Sequence, residues 1–169
     1  MTVMAAIIFK HKGNFDSHTK ENRALRFVHK YIEAVSADLS LPYSDTKFFA
    51  PSAVFFDTKN VTYTGAAAIK TWMLKLFSPF DKVELDGMNF IVIDESTESN
   101  ALYTATVETM VKFFVKGDPV PIFVPRLFIF EIRDSVSEDG FDGLQFYDIK
   151  LYWDTALLSN EIKRRREQQ

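Results

Sequence analysis

Apolar positions follow two periods along the chain, and the switch between them divides it. Across residues 21–39, Leu25, Val28, Ile32, Val35 and Leu39 recur at spacings of three and four. That spacing is one stripe of an α-helix, and Pro42 bounds it. Residues 45–50 predict a short second helix, capped by Ser44 or Asp45 and stopped by Pro51 ahead of a β-like run over 53–57. After Thr64-Gly65, Ile69, Trp72, Met73, Leu76 and Phe77 fall at i, i+3, i+4, i+7 and i+8, a third helix that Pro79 ends.

Downstream the period shortens to two. Strands are predicted over 83–93, 101–115, 120–132 and 144–153, joined by polar or Gly-containing segments at 95–100, 116–119 and 135–143. In the second of these, Ala101, Tyr103, Ala105, Val107, Thr109, Val111, Phe113 and Val115 form one nearly apolar row that should face the interior, with Glu108 outside. In the last, Leu144, Phe146, Asp148, Lys150 and Tyr152 alternate with the more apolar Tyr147, Ile149, Leu151 and Trp153, which puts Asp148 outside. Three helices followed by a meander of strands is the α+β pattern, with the sheet curling over the helices. The expected partition is an N-terminal extension over 1–19, one domain over 20–158 and a basic tail over 159–169.

Composition narrows the possibilities. The chain has 169 residues, enough for one core, and its 17 phenylalanines can fill that core and still line a cavity. A net charge of −3 gives no positive field for phosphates, so no nucleic-acid partner is expected. The absence of cysteine excludes thiolate catalysis and Cys-ligated metals. His11, His18 and His29 make no metal-binding spacing with nearby acids, so neither metal nor cofactor is expected. The apolar run over 4–9 is short, has no basic segment before it and is followed by Lys10, so it is read as no export signal. No stretch approaches a membrane span, and a cytoplasmic protein is expected. Lys163-Arg164-Arg165-Arg166 reads as a basic helix end or a solvated tail rather than a nuclear address.

Three polar residues sit against apolar surroundings. Asp57 closes the run Phe55-Phe56-Asp57: buried, it would carry the raised pKa of a general base, and exposed it would close an Asx-type turn before Thr58. Tyr31 lies at the edge of the first helix's stripe, where its hydroxyl can reach a cavity. Arg126 shares a strand face with Ile122, Val124, Phe128 and Phe130, where an unpaired guanidinium is costly. Its partner is Asp57, Glu131 of a neighbouring chain, or a bound carboxylate or enolate.

Phe49-Ala50-Pro51-Ser52-Ala53-Val54-Phe55-Phe56-Asp57, then Tyr63-Thr64-Gly65-Ala66-Ala67-Ala68-Ile69, and finally Tyr152-Trp153-Asp154 stand in an order that resembles the SnoaL-like and ketosteroid-isomerase-like branch of the nuclear transport factor two-like superfamily. The resemblance covers about residues 20–158 and implies a cone-shaped fold with a largely apolar pocket. It implies Asp57 as a proton-shuttling base and Tyr31 as donor to a developing oxyanion. Arg126 stands where that branch carries a protonated aspartic acid, which departs from the pattern. An epoxide-hydrolase-like reading of Arg126 lacks its flanking acid, since Phe128 lies two residues on. Tyr63, Trp72 and Phe128 are expected to wall the pocket. The function implied is a cofactor-independent isomerase, cyclase or dehydratase acting by proton transfer on a small polyketide- or terpenoid-like substrate. The alternative is a non-enzymatic ligand-binding or dimerisation module. A homodimer through the partly apolar outer sheet face is the expected assembly, as is common in the resembled family.

Overall fold

The computed structural model describes residues 5–167 and has the α+β architecture expected from the pattern. In chain order the elements are β1 (Ile7–Lys12), α1 (Arg23–Ala37), β2 (Phe49–Asp57), β3 (Val61–Thr64), α2 (Ala66–Phe77), β4 (Phe80–Asp94), β5 (Leu102–Val115), β6 (Ile122–Asp134), β7 (Leu144–Trp153) and α3 (Thr155–Arg166). The strands form one open sheet in the order β1-β4-β5-β6-β7-β2-β3. All neighbouring pairs are antiparallel except β2 and β7, which run parallel.

Local chemistry sets the helix boundaries. Asn22 caps α1 by accepting from the Leu25 backbone N–H at 3.1 Å, and Asp154 caps α3 by accepting from Ala156 and Leu157. α2 starts at Gly65, whose φ of +94° suits glycine, and a Cβ there would stand 3.4 Å from the Pro51 carbonyl. From α1, Leu25, Phe27, Val28 and Val35 are buried, and from α2, Ile69, Met73 and Phe77. They meet the inner row of β5, which is buried from Tyr103 through Phe113 as the alternation predicts. Phe146 joins the layers, with ring centroids 4.7 Å from Phe27 and 4.6 Å from Phe130.

Several elements differ from the sequence reading. The short helix expected over 45–50 is one 3-10 turn at Asp45–Lys47, and Phe49 and Ala50 already belong to β2. Phe49 is drawn into the sheet by pairing with Phe146, after which the register with β7 shifts before Val54; Pro51, which has no N–H to donate, lies in that irregular stretch. Of the three α-helices, α3 is therefore C-terminal, running from the end of the expected domain into the segment read as a basic tail, and its Leu158 is buried. β1, within the segment read as an extension, pairs antiparallel with β4. Strict alternation also fails in β7: Glu131 pairs with Asp148 but Ile132 with Phe146, leaving Tyr147 as an extra residue. This bulge lets Leu144, Phe146, Ile149 and Leu151 all turn inward.

Candidate functional site

A cavity of about 50 Å³ lies between α1, α2 and the sheet. Its walls are apolar, including Ile32, Met73, Leu76, Val107 and Phe130. Besides the Trp72 indole, Tyr31 on α1 and Arg126 on β6 bring polar groups to it, and among the described residues no carboxylate lines it. Trp72 and Phe128, expected as pocket wall, line it as well.

Arg126 is only 6% exposed. It pairs across the sheet with Thr109 on β5 and Trp153 on β7. The guanidinium carbon sits 4.7 Å from the ring centroid of Phe113 and 4.1 Å from that of Trp153, one ring from each neighbouring strand. These contacts favour a cation. They leave its donors unmet, because Nε and Nη2 find no hydrogen-bond partner among the described residues. Burial pulls the pKa of Arg126 down to about 9, opposed by the nearby charge of Asp57. The group therefore remains a cation at neutral pH.

Among the described residues, Tyr31 donates its hydroxyl only to the Met73 sulfur, at 3.7 Å, a weak acceptor. Burial raises the phenol's pKa above its ordinary value, so it is neutral and free to turn its O–H toward a better acceptor. The Tyr31 ring is fixed by edge contacts with Phe48, Phe49 and Phe146.

Asp57 is buried, one of the two positions foreseen for it, but away from the cavity. It is 4% exposed, yet it lines an outer groove between α2 and α3 rather than the cavity. Its Oδ1 accepts from the Trp153 indole N–H at 3.1 Å, with the Thr58 hydroxyl at 3.4 Å. It is thus a buried acceptor that holds the Trp153 ring where that ring touches Arg126. No ion pair joins Asp57 to Arg126 among the described residues. Tyr63 also faces the groove, its ring 5.3 Å from Trp72. Trp72 and Leu76 border both spaces, a wall one side chain thick between groove and cavity. The structure thus brings Tyr31, Arg126, Trp72 and Phe128 together and leaves Asp57 and Tyr63 on the other side of that wall.

Two site residues were missed. Trp153 had a signal, since it belongs to the more apolar row of β7 and lies opposite Arg126 once the strands are paired. Met73 carried only a helical-stripe signal, which any core residue shares.

No group of three or more His, Asp or Glu residues among the described residues could hold a metal ion. No helix there is long and apolar enough to cross a membrane.

No protein-family model and no curated protein matches the chain. Solved structures do. Aln2 of a Streptomyces species aligns over 87% of this chain and 99% of its own, with a TM-score of 0.60 at 13% identity. ActVI-ORFA of Streptomyces coelicolor aligns over 80% and 97%, with a TM-score of 0.56 at 15% identity. The CaMKII hub of S. rosetta aligns over 78% and 95%, with a TM-score of 0.53 at 17% identity. At these identities the likeness shows a shared fold, an α+β arrangement of helices on one open mixed sheet.

Proposed function

We propose that this chain is a small-ligand-binding protein that uses the cone's interior to hold an apolar molecule with one polar end. The observation that carries this reading is the pairing of an unpartnered, buried Arg126 with a cavity lined by no carboxylate. A buried cation with two unmet donors destabilises the empty protein, and a ligand supplying the missing acceptors removes that cost.

The test is a thermal-shift screen of small molecules on the full chain, repeated on Leu76→Trp. Leu76 is half-buried at the wall, so a larger side chain there narrows access without overpacking the centre. A ligand at a hundred times its Kd stabilises by about 2.7 kcal/mol, or roughly 5–10 °C for a chain of this size. Compounds that stabilise the wild type should leave Leu76→Trp unmoved. A screen in which nothing stabilises the wild type would remove the reading.

The second reading is the cofactor-independent isomerase, cyclase or dehydratase, with Asp57 as base, Tyr31 and Arg126 stabilising the charge that develops, and Tyr63, Trp72 and Phe128 shaping the site for a polyketide- or terpenoid-like substrate. Its support is the burial of Asp57 at the end of β2 and its link through Trp153 to Arg126. It requires the substrate to span the wall at Trp72, because base and guanidinium face different spaces. Asp57→Asn separates the readings: turnover lost with binding kept supports catalysis, and unchanged turnover of every substrate found rules it out.

A further inference from the structure

Resting on the ligand-binding reading, we infer that the cavity takes a short-chain aliphatic monocarboxylate. Its carboxylate is held by the Arg126 guanidinium with the Tyr31 hydroxyl as a second donor, and its alkyl end lies among Val107, Leu76 and Phe130. Charge argues first. Arg126 is the one charged side chain in the lining, and the nearest acid, Asp57, is committed to the Trp153 indole. The complement to this cavity is therefore an anion.

Donor geometry narrows the anion. A guanidinium presents its N–H groups in a planar fork that matches the two oxygens of a carboxylate. Rings from β5 and β7 flank the Arg126 group, and its Nε and Nη2 donors are vacant. A phosphate or sulfate brings more oxygens and more charge than one fork and one phenol satisfy, and apart from the Trp72 indole the remaining lining side chains offer only carbon and sulfur. A single carboxylate with an apolar tail leaves nothing unpaired.

Size narrows it again. A water needs roughly 10–15 Å³ of such space, so about 50 Å³ holds on the order of three to five non-hydrogen atoms. That is the scale of acetate and propionate, and it is too small for a ring system unless Trp72 or Leu76 moves.

The chain's own fluorescence reads the test, because it has two tryptophans, one against Arg126 and one in the cavity wall. Propionate and its neutral isostere propionamide are titrated into the full chain at pH 7 and constant ionic strength. We expect a saturable change with propionate, binding at least tenfold weaker for propionamide, and loss of propionate binding in Arg126→Met, with circular dichroism confirming that the variant is folded. Equal binding of propionamide, or undiminished propionate binding by Arg126→Met, overturns the carboxylate assignment and leaves the ligand-binding reading standing. No saturable change with propionate, while neutral compounds still stabilise the protein in the thermal screen, overturns this inference alone. Failure of both assays overturns both.

Discussion

Arg126 offers the most direct test of the physical account, because its replacement by methionine should make the protein more stable. The empty site loses on solvation: a guanidinium 6% exposed, with Nε and Nη2 unpartnered, forfeits hydrogen bonds to water that nothing replaces. Each buried unsatisfied donor costs about 1–3 kcal/mol, so the pair accounts for roughly 2–6 kcal/mol. Against this stand the contacts with Phe113 and Trp153, worth about 0.5–2 kcal/mol each. Methionine keeps most of the apolar volume and retains a favourable sulfur–ring contact, so part of the second sum survives the change. The expected balance is a gain of about 1–3 kcal/mol, within the range seen when buried ionic groups give way to apolar ones. Urea denaturation of both proteins at pH 7 without added carboxylate measures it, as a higher midpoint at unchanged slope. A loss of more than about 1 kcal/mol refutes the reasoning, since it means that Arg126 is satisfied in the empty protein and Asp57 is its partner after all.

Further outcomes follow from the same contacts. Arg126 has a lower pKa folded, about 9, than unfolded. Its penalty is therefore fully present below pH 9 and is relieved as pH rises from there toward the ordinary arginine range, so the advantage of Arg126→Met in denaturation should shrink across that alkaline window. Burial raises the pKa of Tyr31 and of Tyr43. Both should stay protonated until alkaline unfolding, so in an ultraviolet pH titration Tyr31→Phe leaves the number of tyrosines ionising before unfolding unchanged. Trp153→Phe removes the main donor to the Asp57 carboxylate and should cost about 1–3 kcal/mol, read as a lowered urea midpoint. Arg165 ties α3 to Asp118 at 2.7 Å and to the Pro121 carbonyl; Arg165→Ala should make tryptic cleavage after Lys163 and Arg164 faster while the far-ultraviolet dichroism of the sheet stays unchanged.

What could be read without the structure, and what could not, divides along physical lines. The buried row of β5 and the stripes of α1 and α2 were legible because each depends on a period within one segment. β1 was not: Ile7 and Ile8 are 69% and 60% exposed on an edge strand, so no buried face writes itself into the sequence, and the segment is ordered by its pairing with β4. The β7 bulge was hidden for the opposite reason, since alternation assumes that no residue is inserted, and Tyr147 is one. For the site, the burial of Arg126 was legible from its strand face. The side of the wall that Asp57 occupies was not, because it depends on where the indole of a residue 96 positions away comes to rest.

The parallel pairing of β2 with β7 has a consequence for when the protein becomes competent. The antiparallel ladder from β4 through β7 joins neighbours along the chain and can zip from one hairpin to the next, whereas β2 must wait for β7 across the whole meander. Only that last long-range closure sets Phe55 into the cavity wall and brings Asp57 to the Trp153 indole. A collapsed intermediate lacking it would contain nearly all of the secondary structure and a cavity without its Phe55 wall. On the ligand-binding proposal, capture reports completed topology, and a nascent or partly unfolded chain should not bind.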